Sequence, residues 1–150
     1  MTVKRLHIDF APLGHTFLRK PLLIGGKAME YYGLRPAGVD IDCVLHRDDH
    51  ARLVSRYPGH IRDLYGDIGV CVHGFELWNR ILLFPYEFLK PLAIEEEHVL
   101  VISLERLLFL KSLVINDEKN GRDVRLIVDK IHAIQYGKDR QFGADHFVQE

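Results

Sequence analysis

Pro21-Leu-Leu-Ile-Gly-Gly-Lys-Ala-Met-Glu-Tyr-Tyr-Gly33, followed at once by Leu34–Gly38 and then Val39-Asp-Ile-Asp-Cys-Val-Leu45, is the stretch that decides how this chain folds. Pro21–Gly25 is a short apolar run of strand length that stops at Gly25-Gly26. A helix is expected from about Lys27 to Tyr32, with Gly33 as its C-terminal stop. Val39–Leu45 then alternates with period two, Val39, Ile41 and Cys43 on one face and Asp40 and Asp42 on the other. A strand, a glycine turn, a helix and a second strand open an α/β chain.

The pattern continues on the C-terminal side. Asp48 is a plausible N-cap, and His50, Leu53, Val54 and Tyr57 fall on one helical stripe before Pro58-Gly59 ends it. Ile68, Val70 and Val72 alternate as a strand, His73-Gly74 makes a tight hairpin turn, and Phe75–Phe84 runs back. Val99–Ile102 is a further short strand or extended lead-in. Ser103 caps a helix through about Ile115, with Glu105 in its first turn. A turn at Asn120-Gly121 leads to a last helix, Arg122–Gln135, with the stripe Val124, Ile127, Val128 and Ile131 and a stop at Gly137. On the N-terminal side Leu6, Ile8 and Phe10 alternate too briefly to assign. The tail after Gly137 is polar and expected to be loosely held. The fold class that follows is α/β (α+β), a mixed β-sheet flanked by helices with a C-terminal helix pair. No repeat or linker divides the sequence, so residues 1–150 read as one domain, with a core over about 21–84 and a helical part over about 103–136.

Composition narrows the function classes. The 150 residues carry 20 Lys+Arg against 21 Asp+Glu, a formal net charge of −1, which argues against gripping nucleic acid by bulk charge. Apolar residues are 47% and charged residues 27%, a globular balance. The longest apolar stretches, Ile81–Pro85 and Leu107–Leu110, are far short of the roughly 20 residues a membrane helix needs. Lys4, Arg5, His7 and Asp9 interrupt the N-terminus, so no signal-like apolar segment forms there. Cys43 and Cys71 each sit in an alternating apolar run and read as buried thiols of a reducing compartment. These features predict a cytoplasmic protein with no membrane partner.

Three features near the front carry chemistry. Gly25-Gly26 stands at a strand-to-helix turn, where glycines let backbone N–H groups approach a phosphate, although the GxxxxGK[ST] spacing of a P-loop is absent. Asp40 and Asp42, at i and i+2 of one strand, point to one face about 7 Å apart, and two like charges so placed suit a divalent cation such as Mg²⁺ or Mn²⁺ between them. A third carboxylate is needed to complete a metal site or to take a proton. Glu76, flanked by Phe75 and Leu77, is the first candidate, and Asp67 is the reserve. Lys27 and Arg35 are candidate phosphate contacts. Lys111 lies on an otherwise apolar stripe with Leu104, Leu107 and Leu108, so it must either snorkel out to water or find an anionic partner, which could be Asp123 or a bound phosphate. His46 and His50 share the i, i+4 spacing of a metal clasp but are not expected on one helical face. Trp78 and Tyr86 could stack on a base, with core packing the plainer role.

In order, Gly25, Gly26, Ala28, Gly33, Arg35, Asp40 and Asp42 resemble the "GGxA…G…R…DhD" string of small bacterial members of the polymerase-beta-like nucleotidyltransferase superfamily. Ile102–Ile127 is similar to their C-terminal half, with Ser103, Leu104, Glu105, Leu107, Lys111, Arg122 and Asp123 in matching places. The resemblance implies transfer of a nucleoside monophosphate from an NTP to an acceptor hydroxyl, with pyrophosphate leaving. It further implies that Asp40 and Asp42 hold divalent metals, that Glu76 completes the site or acts as base, and that Gly25, Gly26, Lys27, Arg35 and Lys111 serve the nucleotide. There are departures. Gly26 replaces a common Ser, the Thr often preceding the aspartates is missing from Arg35–Asp40, and Glu76 replaces the commoner Asp. The alternative is a catalytically idle nucleotide-binding or partner-binding module of a toxin–antitoxin-type system. The acceptor is left open among a protein, a tRNA end and a small molecule, and a homodimer or a separately encoded protein partner is compatible with a chain this small.

Overall fold

The structure is a computed structural model that describes residues 6–137. Its elements in chain order are β1 (Leu22–Leu23), α1 (Gly25–Tyr31), β2 (Ile41–Val44), α2 (Arg47–Arg56), β3 (Ile61–Leu64), β4 (Asp67–Val72), β5 (Phe75–Trp78), β6 (Arg80–Ile81), β7 (Phe84–Pro85), α3 (Tyr86–Leu89), β8 (Ile94–Glu95), β9 (Leu100–Val101), α4 (Leu104–Ser112) and α5 (Glu118–Tyr136). Seven strands make one mixed sheet in the order β3-β4-β5-β2-β1-β9-β8, and β6 and β7 form a separate hairpin. β1 is parallel to β9 and β2 to β5, while the other pairs are antiparallel. The mixed sheet with helices is therefore the architecture of this chain, and α4 and α5 pack as its C-terminal pair.

The two central strands are covered on both faces, which is why their sequences run apolar where an edge strand alternates. Leu22, Leu23, Cys43 and Val44 are fully buried. β2 is shorter than the alternation suggested: it begins at Ile41, and Val39 stands outside it, 89% exposed. Asp40 lies just before the strand and is exposed, whereas Asp42 is inside it and half-buried. α1 starts at Gly25 rather than near Lys27 and stops as expected at Gly33, whose φ of +73° is left-handed. Tyr32 then pins the helix to the sheet, its hydroxyl donating to the Ile102 carbonyl at 2.7 Å.

Several local expectations are corrected. The cap of α2 is His46, whose Nδ1 accepts from the Asp48 N–H at 3.3 Å, so Asp48 lies in the first turn, where its charge still suits the helix dipole. Cys71 is half-buried rather than a core thiol. The return strand breaks at Asn79, because that residue's Oδ1 accepts the Ile68 N–H at 2.8 Å and its own N–H donates to the Ile68 carbonyl. The chain then turns into the β6–β7 hairpin. Asn120-Gly121 is no turn but part of the first turns of α5. Asp117 caps the Lys119 N–H at 3.0 Å and also accepts from Asn120 Nδ2, which outweighs the roughly 1 kcal/mol that a helical glycine costs. α4 ends at Ser112, three residues early. Strand β3 carries no apolar alternation and was not expected; it is held by a two-residue turn through Tyr65 and Gly66, both at positive φ. The His73-Gly74 turn has the same left-handed pair, as its sequence predicts.

The N-terminal segment is fastened by a buried carboxylate. Asp49, fully buried on α2, accepts from His15 Nε2 at 2.8 Å and from the N–H groups of Leu18 and Arg19 at 2.9 and 3.0 Å. Three donors satisfy an acid that would otherwise be costly to bury. Among the described residues no helix is long and apolar enough to cross a membrane. The expectation for the tail beyond Gly137 lies outside the described residues.

Candidate functional site

The central strands and the turn after β1 assemble one site. β2 and β5 run parallel with Asp42 in register with Glu76, so the two carboxylates stand side by side on one face of the sheet. Gly25 begins α1 at φ +64°, and a Cβ added there would stand 2.7 Å from Asp42 Oδ2. Only glycine lets the turn come that close to the acid. Gly26 is different: an added Cβ would meet nothing nearer than Arg35 Nη1 at 3.6 Å. Hydrogen bonding from the Ile24 N–H to the Asp42 carbonyl at 3.0 Å keeps turn and strand in place.

Electrostatics mark Asp42. Burial raises its pKa, the neighbouring Glu76 and then Asp40 raise it further, and Lys111 pulls it back only in part, leaving it near 7. Glu76 is tied from the other side by Arg62, whose Nη1 donates to Oε1 at 3.1 Å. The Arg62 guanidinium also lies over the Trp78 ring, 5.8 Å from its centroid. Sequence reasoning overlooked Arg62, since strand β3 itself was not legible. Trp78 is almost fully buried, and Tyr86 is buried with its hydroxyl donating to the Lys20 carbonyl, so both pack the core.

A second cluster adjoins the first. Arg35 grips Asp123 with two parallel bonds, Nε to Oδ1 at 2.7 Å and Nη2 to Oδ2 at 2.8 Å. Lys111 Nζ reaches the same Oδ2 at 2.9 Å. Of the two partners left open for Lys111, Asp123 is the one it touches here. Burial alone would raise the Asp123 pKa, but the hydrogen bonds and charges of Arg35 and Lys111 win and hold it at about 2. One acid thus fixes two cations, and one of them, Lys111, is close enough to be felt by Asp42. Lys27 is half-buried on the first turn of α1. Asp67, the reserve third acid, is engaged elsewhere, by Arg80 Nε at 3.1 Å and the Leu82 N–H at 2.9 Å.

Oxygen-only carboxylates suit a hard divalent cation, and the Gly25 cradle leaves one face of Asp42 without a side chain against it. Among the described residues no three His, Cys, Asp or Glu side chains already stand in metal-binding geometry. Asp42, Glu76 beside it in register and Asp40 two residues before it are the carboxylates that could hold a cation here. Comparison of the chain with protein-family models, with curated proteins and with solved structures finds no match.

Proposed function

We propose that this chain is a metal-dependent nucleotidyltransferase that moves a nucleoside monophosphate from an NTP to an acceptor hydroxyl, as the polymerase-beta-like resemblance implies. The observation that carries the reading is Asp42. A carboxylate raised to about 7, set beside a like-charged Glu76 and against a glycine turn, is an unfavourable arrangement in isolation and a favourable one around a cation. Asp40, Asp42 and Glu76 are the residues that would hold Mg²⁺ or Mn²⁺. When bound, the ion would neutralise phosphate charge and polarise the α-phosphoryl group.

The remaining work falls to the chain itself. The Gly25-Gly26 turn offers backbone close to the phosphates, and Lys27, Arg35 and Lys111 supply positive charge, two of them pre-positioned by Asp123. In the reaction the acceptor oxygen forms a bond to the α-phosphorus while the bond to the bridging oxygen breaks, pyrophosphate leaves, and the acceptor proton passes to Glu76. Such catalysis is mostly positioning and electrostatics, which a rigid sheet with two adjoining charge clusters provides.

One observation favours the second reading, an idle nucleotide- or partner-binding module of toxin–antitoxin type: Arg62 occupies Glu76, the acid that would take the proton. A melt panel with each NTP, with and without Mg²⁺, combined with transfer of label from α-labelled NTP in a cell extract that supplies acceptors, separates the two. Ligand at 100 times its Kd adds about 2.7 kcal/mol of stability. The enzyme reading expects a Mg²⁺-dependent shift and labelling of a protein, RNA or small molecule of the extract, both lost in Asp40→Ala/Asp42→Ala. A shift with no labelled acceptor supports the idle module. Neither effect with any NTP removes the nucleotide from both readings.

A further inference from the structure

Arg62 reaches the carboxylates from the edge of the sheet. It stands on β3 opposite Gly69 of β4, and Gly69 in turn stands opposite Trp78 of β5. With no side chain on the middle strand at that point, the guanidinium lies over the Trp78 ring and donates to Glu76, the acid in register with Asp42. A Cβ at Gly69 would come within 2.8 Å of the ring, so the crossing depends on glycine.

The hold on Glu76 is light. It is one hydrogen bond, Nη1 to Oε1 at 3.1 Å, and the Arg62 side chain is 53% exposed. Arg35, by contrast, grips the buried Asp123 with two parallel bonds. Holding a long side chain across a neighbouring strand costs rotamer entropy, and an ion pair this exposed adds little to the fold. Its effect falls instead on the site. Lys111 acts on Asp42 while bound to Asp123, and Arg62 supplies the positive charge at Glu76.

We propose that Arg62 is a resident competitor of the divalent cation at Glu76: it neutralises that acid while the ion is absent and lets go of it, remaining on Trp78, when the ion binds. The inference rests on the metal-dependent reading above and adds a control on the same site. Two occupants that exclude each other weaken each other reciprocally. A hydrogen-bond acceptor behind a metal ligand strengthens that ligand, whereas a guanidinium donor draws charge from the carboxylate and repels the ion. A singly bonded, exposed arginine is also the kind that can be displaced at small cost.

Mn²⁺ binding to the full chain, read by electron paramagnetic resonance with Trp78 emission followed in the same titration, tests this. The native chain is expected to bind Mn²⁺ and Asp40→Ala/Asp42→Ala to lose it. Arg62→Gln, which removes the charge, binds about fivefold more tightly or better, while Arg62→Lys stays near the native affinity. In a Glu76→Gln background, Arg62→Gln changes affinity by less than about twofold, which assigns the gain to the contact rather than to net charge. Mn²⁺ changes Trp78 emission in the native chain and much less in Arg62→Gln, and an unchanged circular dichroism spectrum shows that each variant is folded. Binding that is equal or weaker in Arg62→Gln, yet still lost in Asp40→Ala/Asp42→Ala, overturns the competition and leaves the metal reading standing. A gain of the same size in the Glu76→Gln background, or an emission change that persists undiminished in Arg62→Gln, also overturns it. No Mn²⁺ binding to either the native chain or Arg62→Gln overturns both.

Discussion

Asp42 is half-buried beside one carboxylate and two residues from another, and its ionisation therefore works against the fold. Its folded pKa, about 7, lies above the ordinary value of 3.8. A raised pKa contributes stability that is fully present below the unfolded value and lost as pH rises through the folded one. In chelator, Asp42→Asn is thus expected to be more stable than the native chain above pH 7, by roughly 1–3 kcal/mol after discounting for its partial exposure. The gain should shrink toward zero near pH 4. Urea titrations at pH 4, 6 and 8 check this, and a difference that does not change with pH would refute it. That Asp42 stands on a strand between Ile41 and Cys43 was legible from the alternation, but Asp40, read as sharing its strand face, lies before β2 and is exposed. The charge state was not legible, since it depends on Glu76, 34 residues away in sequence and opposite it in register.

At the scale of elements, β4 and β5 show how close packing replaces alternation as the rule. Gly69 faces Trp78 across the strand pair, and an added Cβ would stand 2.8 Å from the ring. The ring cannot simply swing aside, being almost fully buried with Arg62 above it. Gly69→Ala should cost about 1–3 kcal/mol by overpacking and should shift the fluorescence of Trp78, the chain's single tryptophan. Gly59→Ala, where nothing lies within 4 Å, is the control and should change stability little. Three of the misreadings, at the start of α2, the end of β5 and the start of α5, share a cause. His46, Asn79 and Asp117 each redirect the backbone through a side-chain hydrogen bond, and Asn120-Gly121 reads as a turn until Asp117 is known to cap the helix.

Across the whole molecule, Asp123 ties α5 to α4 through Lys111 and to the loop after α1 through Arg35. It is almost fully buried, so its removal leaves two cations without a counter-charge. Asp123→Ala should therefore destabilise the chain by roughly 3–5 kcal/mol at neutral pH. Because its pKa is lowered from 3.8 to about 2, the stability it contributes is present above pH 4 and lost as pH falls through 2. The gap between the native chain and Asp123→Ala should accordingly narrow in acid, as guanidinium unfolding at pH 7 and pH 2.5 can show. An undiminished gap at low pH would mean that Asp123 acts by shape rather than by charge.

Local order was written in the sequence: the buried pair Leu22-Leu23, the stop at Gly33, the turn at His73-Gly74 and the cap at Ser103 all follow from side-chain size, positive φ or a hydroxyl at a helix start. These depend on neighbours a few residues apart, so a single sequence suffices. What only the tertiary structure decided was which distant groups meet. That Glu76 rather than Asp67 stands beside Asp42, that Arg62 holds Glu76, and that Arg35 and Lys111 converge on one buried acid are consequences of strand order and register. Pairing across a sheet leaves no local mark in the residues that it brings together, because its free energy comes from the assembled core and not from either strand alone.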